Sequence, residues 1–303
     1  MKLVFFKRII VFGAIASFIS SYAAEIKAKK MEIIQEKGER VTRFKEGLLI
    51  QDGTTQIFAQ EGLYYPERNE FFLKDSVKIL SEEGVLRSDS AVYFLALKKS
   101  ILGKNVELDL DTVKITTDRL FWDGNKKEAH SEEVFISLKG RGVEITGKSA
   151  IYQVDKKKGE IKKDPLFYLK EKETTLVRAN LMDYDGERKV VFAYGQVNIK
   201  HRKRELFCET LAYFLEGDSG ITLGKPILSG ENEEIAGKEF RFQNEGGELK
   251  KMVVLGDVQA LFERKEERVE IGGERLSSLF RGGEVLEIVM EELTYGRLLR
   301  KRR

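Results

Sequence analysis

The sequence predicts an all-β chain built as an antiparallel repeat. Three observations predict it: an aromatic residue recurs every 29 to 32 residues, a turn follows each aromatic, and a second turn divides each interval. The aromatics are Tyr64, Tyr93, Trp122, Tyr152, Tyr184, Tyr213 and Phe242. Two turns per interval mean two strands, and turns of hairpin length favour antiparallel neighbours. About eight such ~29-residue units, or sixteen strands, fit between Glu32 and Glu292. Repeats bury their core against their neighbours, so the expectation is one elongated, quasi-one-dimensional domain over residues 24–292 rather than two globules.

Residues 1–23 come first in the chain and read as a secretory signal peptide. Lys2, Lys7 and Arg8 form the positive region, Ile9 to Ile19 the apolar run, and Ser21-Tyr22-Ala23 the small residues before cleavage. Ile9 to Ala24 is sixteen residues, short for a span that needs roughly 20. An uncleaved inner-membrane anchor is the alternative.

Each aromatic then closes a hexad: SDSAVY at 88–93, TDRLFW at 117–122, GKSAIY at 147–152, ANLMDY at 179–184, CETLAY at 208–213 and GKEFRF at 237–242. A looser AQEGLY stands at 59–64. The first position is small (Ser88, Thr117, Gly147, Ala179, Cys208, Gly237) and the second polar (Asp89, Asp118, Lys148, Asn180, Glu209, Lys238). The fourth is apolar, and another apolar residue precedes the hexad by two: Leu86, Ile115, Ile145, Val177, Leu206, Ile235. Strand side chains alternate with period two, yet the earlier apolar residue and the hexad's fourth and sixth positions stand on opposite phases. A bend or bulge that admits only a small side chain is expected between them. Cys208 fits that slot as a structural residue rather than a reactive thiol.

Turns follow, such as Asp123-Gly124-Asn125, Asp185-Gly186-Glu187 and Glu245-Gly246-Gly247. The return strands carry their own mark: Leu102-Gly103-Lys104-Asn105-Val106, Tyr194-Gly195-Gln196-Val197, Leu223-Gly224-Lys225-Pro226, Leu255-Gly256-Asp257-Val258. The glycine is expected to sit at a second bend. Residues 293–303 read as a solvated basic tail.

Composition removes several function classes. Hydrophobic residues make up 42% of the chain, enough for a core and too many for wholesale disorder. One Cys and two His leave no disulfide framework and no Cys- or His-rich metal site, so no metal or cofactor is expected. Without Lys2, Lys7 and Arg8 the chain has 50 basic and 50 acidic residues, and the basic ones gather at the C-terminus, so no nucleic-acid groove is expected. Asp109/Asp111 and Asp183/Asp185 could form catalytic carboxylate pairs of a polysaccharide-active β-helix. They lie at turns, however, and read as solvated turn residues, and no phosphate loop or nucleophile elbow accompanies them. The chain reads as a non-enzyme.

The order small, Asp, any, apolar, any, Tyr, then a turn and Gly-Asn-Val, stands in SDSAVY with LGKNV and in ANLMDY with YGQV. It resembles the OstA-like family of periplasmic lipopolysaccharide-export proteins, which includes LptA, LptC and the N-terminal domain of LptD. The resemblance spans about residues 40 to 290. It implies an antiparallel β-jelly roll bent into an open V, with an apolar interior that holds acyl chains and open strand ends that join neighbours into a bridge. It implies a periplasmic location, with lipopolysaccharide or another envelope glycolipid as ligand. Partners would be other jelly-roll transport components, joined by edge-strand addition, with self-association as an option. Whether the role is LptA-like, LptC-like or that of a barrel-less LptD is left open.

Under that implication the lipid-binding residues are Ala91, Tyr93, Leu120, Trp122, Ala150, Tyr152, Met182, Tyr184, Leu211, Tyr213, Phe240 and Phe242, which share one strand phase and would stack into apolar rows. A sealed core in a ligand-free structural rod is the competing expectation for the same residues.

Overall fold

The structure, a computed structural model, describes residues 24–300 apart from 37, 141, 171–173, 265–266 and 283. The signal peptide expected over residues 1–23 and the last three residues of the basic tail lie outside the described residues. Among the described residues the fold is all-β and antiparallel, with 26 strands and one three-residue 3-10 turn, Leu95–Leu97. Strands outnumber the expected sixteen because the bend interrupts many of them. Val143–Gly147 and Ser149–Gln153, for example, are the two halves of one expected strand.

The chain clusters into two compact units. One ends at Ile136 and includes Ala150–Asp155; the other comprises Ser137–Ser149 and everything described from Lys156 onward. The division falls among five-residue strands, Val134–Leu138, Val143–Gly147 and Ser149–Gln153. Longer strands such as Lys99–Asp109 and Glu248–Arg264 tie the interior of each unit together.

Within each unit the hexads stack in register. In the N-terminal unit one row runs Phe71, Tyr93, Ser100, Trp122, Ala129, Tyr152 across successive strands. In the C-terminal unit the same row runs Tyr184, Val191, Tyr213, Gly220, Phe242, Met252. From Tyr93 onward in the first row and throughout the second, large rings alternate with smaller residues from the return strands, which is how wide side chains fit at the close strand spacing. A Cβ on Gly220 would collide with the Phe242 ring.

The bend is a two-against-one bulge. Asp75-Ser76 lie opposite Asp89, Lys104-Asn105 opposite Asp118, Gly195-Gln196 opposite Glu209, and Gly256-Asp257 opposite Glu274. All eight residues of these pairs have positive φ, from 48° at Asp257 to 74° at Gly256. Glycine therefore marks the bend at Gly195 and Gly256, whereas at 102–106 the left-handed residues are Lys104 and Asn105 and not Gly103. The bulge resets the strand phase, so Leu86, Ile115, Ile145, Val177, Leu206 and Ile235 are buried together with the hexad residues that follow them.

The hexad's first two positions now have causes. A Cβ at Gly237 would stand 2.5 Å from Val254 Cγ1, and one at Gly147 would strike Ile161. Where the slot holds a hydroxyl, it bonds the bent backbone: Ser88 Oγ donates to Ser90 O at 2.9 Å and Thr117 Oγ1 to Glu132 O at 2.7 Å. The polar second residue reaches the left-handed pair, as Lys148 to Asp164 and Lys238 to Asp257, both at 2.7 Å. At Asp89 the carboxylate instead accepts from Asn105 Nδ2 at 2.8 Å.

The segment read as a solvated tail contributes a strand. Tyr295–Arg300 pairs with residues 267–272 of Glu267–Arg281, because an exposed sheet edge offers ladder bonds to any extended chain beside it.

Candidate functional site

Eleven of the twelve residues expected to line an apolar interior are buried, and Phe242 is half-buried. Ala91, Tyr93, Leu120, Trp122, Ala150 and Tyr152 lie in the N-terminal unit, and Met182, Tyr184, Leu211, Tyr213, Phe240 and Phe242 in the C-terminal unit.

Three of them, Leu211, Tyr213 and Phe242, meet at a cavity of about 90 Å³ inside the C-terminal unit. Leu169, Val177, Leu206, Leu228 and Met252 supply its apolar floor and are buried. Thr175, His201, Arg204, Asn244, Gly247 and Leu249 are half-buried and form its more polar side, and Ile199 completes the wall. Tyr184 shares the row of Tyr213 and Phe242, and Met182 and Phe240 share that of Leu211, but these three are not part of this lining.

Position follows from strand order. Val177 and Leu206 come from the apolar column before the hexad, and Leu211 and Tyr213 from the hexad itself. The cavity therefore lies where the bulge turns both columns inward. Rings border it without filling it: Tyr213 lies 6.2 Å from Phe242 and 5.5 Å from Phe167.

The polar side is tied together. Thr175 Oγ1 and His201 Nδ1 are 2.8 Å apart, and Arg204 pairs with Glu233 while its guanidinium lies 5.1 Å over the Phe280 ring. Next to it, Arg202 reaches Glu248 Oε1 at 3.4 Å and Gly282 O at 3.3 Å. Lys203 pairs with Glu231 at 2.7 Å.

Sequence reasoning flagged Val177 and Leu206 as an apolar column but gave them no binding role. It passed over Leu169, Thr175, Ile199, His201, Arg204, Leu228, Asn244, Gly247, Leu249 and Met252. The available signal was the turn His201-Arg202-Lys203-Arg204 between two apolar strands, four residues able to carry positive charge.

The candidate carboxylates are held in other ways. Asp185 is buried rather than solvated. Its Oδ1 accepts from the Glu187 and Arg188 amides at 3.2 and 3.1 Å, and the Arg188 amide bond first among causes holds its pKa below the usual carboxylate range. Asp183 faces Glu160 across the register, and burial, then the Glu160 charge, pushes its pKa up. Asp109 lies 3.8 Å from Arg87, and Asp111 is exposed at the turn. The Cys208 thiol is buried and its pKa is pushed up to about 12 by desolvation, so it is a slot-filling side chain and a poor nucleophile. Among the described residues no group of His, Cys, Asp or Glu is placed to hold a metal ion, and no helix is long and apolar enough to cross a membrane.

No family model and no curated protein matches the sequence. Among solved structures the chain is similar to LptH of Pseudomonas aeruginosa, the LptA homologous periplasmic component of a conserved lipopolysaccharide transport device. The two share 14% identity with a TM-score of 0.34, over 37% of this chain and 82% of that one. So partial a match leaves the function of the interior to rest on the residues themselves.

Proposed function

We propose that the chain is a periplasmic, non-catalytic lipid carrier. It holds acyl chains of lipopolysaccharide or a related envelope glycolipid in its apolar interior, as one component of a bridge toward the outer membrane. The cavity bordered by Leu211, Tyr213 and Phe242 carries this proposal, because a structural rod needs no unfilled apolar space at its centre. Each methylene moved from water into such a space gains about 0.8 kcal/mol before the costs of binding. The stacked rows would add shallow sites along each unit, with Ala91, Tyr93, Leu120, Trp122, Ala150 and Tyr152 in one and Met182, Tyr184 and Phe240 in the other.

Edge strands supply the joints. Glu25–Glu36 registers against Glu39–Asp52 and exposes Lys27, Lys29 and Lys30. Glu284–Glu291 registers against Glu267–Arg281 and exposes Glu284, Glu287 and Glu291 beside Leu286 and Val289. Two strand edges of this kind suit addition to neighbouring jelly rolls, including a second copy.

A photo-crosslinking residue at Tyr184 or Tyr213 tests the lipid path in cells. Labelling of glycolipid is expected there and not at exposed Asn180. A folded protein labelled at neither aromatic would favour the ligand-free rod. Tight burial of Tyr93, Trp122 and Tyr152 in the N-terminal unit is the observation on that side.

A further inference from the structure

The strand Tyr295–Arg300 is held by its backbone and leaves its side chains uncovered. Its ladder runs from Tyr295 opposite Gly272 to Arg300 opposite Glu267, and the Thr294 amide donates to Gly272 O at 2.8 Å. A Cβ at Gly272 would strike the Tyr295 ring, so that ring lies against the neighbouring backbone. Yet Leu293, Tyr295, Leu298 and Leu299 stay between 41% and 59% exposed. Leu298, beside Val269, and Leu299, beside Arg268, stand on opposite faces of the sheet. Apolar side chains exposed on both faces of a sheet edge are a liability unless something covers them. The charge is equally one-sided. Residues 293–303 contain Arg297, Arg300, Lys301, Arg302 and Arg303 and no acidic residue. Glu267 and Glu270 stand opposite Arg300 and Arg297, and Glu270 also accepts from Arg268 at 2.9 Å. Six basic residues therefore meet two acidic ones along this strand pair. The acidic strand Glu284–Glu291 registers against the other half of Glu267–Arg281, residues 275–281.

Two properties of the occupant follow. It must be anionic, and it must cover leucines on both sides of an edge strand. The surface of a folded partner covers one face, and a soluble anion covers no apolar side chain. A fluid lipid surface does both, because an edge that enters at headgroup level meets acyl carbon on either face and anionic groups around it. Tyr295 and Arg297 suit that depth, where a phenol and a guanidinium keep their polar ends in water. Water there also reaches the edge amides, which the hydrocarbon core would leave unpaired. We propose that the segment 293–303 docks the C-terminal unit on a membrane surface rich in anionic lipid, with Leu293, Leu298 and Leu299 in the outer acyl region. The proposal goes beyond the carriage of lipid in the interior and does not depend on it.

Co-sedimentation of the purified protein with vesicles tests it, using phosphatidylcholine alone and phosphatidylcholine mixed with phosphatidylglycerol in equal parts. Binding to the mixed vesicles is expected at low salt, well above binding to phosphatidylcholine. The difference should shrink at about 1 M salt, where the screening length falls to about 3 Å. Replacing all five cations, Arg297→Gln, Arg300→Gln, Lys301→Gln, Arg302→Gln and Arg303→Gln, should lower the affinity for mixed vesicles more than about 100-fold. Leu298→Ser with Leu299→Ser should lower it about ten-fold and keep the preference for anionic vesicles. Both leucines are exposed, so this variant should melt where the unaltered protein does, which keeps the test decisive if the five-cation variant fails to fold. Lys27→Gln, Lys29→Gln and Lys30→Gln together remove another group of exposed cations and should leave the affinity within about two-fold. Equal binding to both kinds of vesicle, or no binding of the unaltered chain, overturns the docking and leaves the lipid interior standing. So does full binding by the variants of residues 297–303, or an equal loss in the Lys27, Lys29 and Lys30 variant, which would mark a diffuse charge effect.

Discussion

Tyr93 and Tyr213 occupy the same hexad position in different units, and both give their hydroxyl to an aspartate. Tyr93 donates to Asp52 Oδ2 at 2.6 Å, a partner 41 residues away at the end of another strand. Tyr213 donates to Asp218, five residues on, in its own turn. The first bond ties distant parts of the N-terminal unit together; the second lies within the ring's own hairpin, where Asp218 Oδ1 also accepts from Asn244 Nδ2 at 3.2 Å. Around Tyr93 the neighbouring hexad ends, Trp122 and Tyr152, are buried, and Phe71 in the same row stacks on Tyr64 at 4.5 Å. Around Tyr213 the next hexad end, Phe242, is half-buried and a cavity opens beside both rings. One repeat grammar therefore yields two interiors. What separates them is the packing around the ring: Tyr93 stands among buried hexad ends, whereas Phe242 beside Tyr213 is half-buried.

The largest expected effect is one the two units share. Thr117→Trp and Cys208→Trp should each destabilise by about 3 kcal/mol or more, because the bulge slot is small in both and overpacking forces the backbone to move. Thermal melts check this, and a melting temperature unchanged in either variant would show that the slot is not structural there. Native Cys208 should also resist a thiol reagent until the protein unfolds, given its burial and raised pKa.

Filling the interior should separate the units. Leu120→Phe should cost about 1–3 kcal/mol, whereas Leu211→Phe, beside the cavity, should fall within about 0.5 kcal/mol of neutral. Equal losses in chemical denaturation would mean that the C-terminal interior has no room to give.

Alkali offers the next contrast. Burial first, then the bond to Asp52, raises the Tyr93 pKa well above the ordinary value of 10.0. The unfolded chain ionises Tyr93 from about pH 10 while the folded chain does not, so its contribution is intact below that pH and is lost as pH rises beyond it. Tyr93→Phe should cost about 1–3 kcal/mol at neutral pH and remove part of the stability lost above pH 10. Unfolding followed at pH 8 and pH 10.5 reads both effects, and an unchanged alkaline slope in the variant would break the assignment.

The smallest effect belongs to the surface of the bulge. Lys238→Ala removes the ion pair with Asp257 but leaves the Lys238 amide bonded to Leu255 O at 2.9 Å. No measurable change in melting temperature is expected. A clear drop would mean that the side chains, and not the backbone, hold the corner.

Much of the architecture was legible because it is periodic. The hexads located the bulges, the small slots and the burial of eleven of twelve interior residues, since each depends on neighbours within one or two strands. The glycine rule was legible only in part. At Lys104-Asn105 and Asp75-Ser76 the left-handed pair carries no glycine at all, because Asn, Asp and Ser serve there.

By itself, then, the sequence determined the strand class, the repeat and the inward-facing rows, which follow from side-chain alternation and local turn chemistry. Only the tertiary structure decided that the chain divides near residues 137–149, that residues 295–300 pair as a strand, and that the rows part around Leu211 and Tyr213. It also decided that Arg202 meets Glu248, 46 residues away. The physical reason is range. The cavity draws its lining from between Leu169 and Met252, across several strands, so its existence depends on how far those strands stand apart. No spacing within a single repeat encodes that distance.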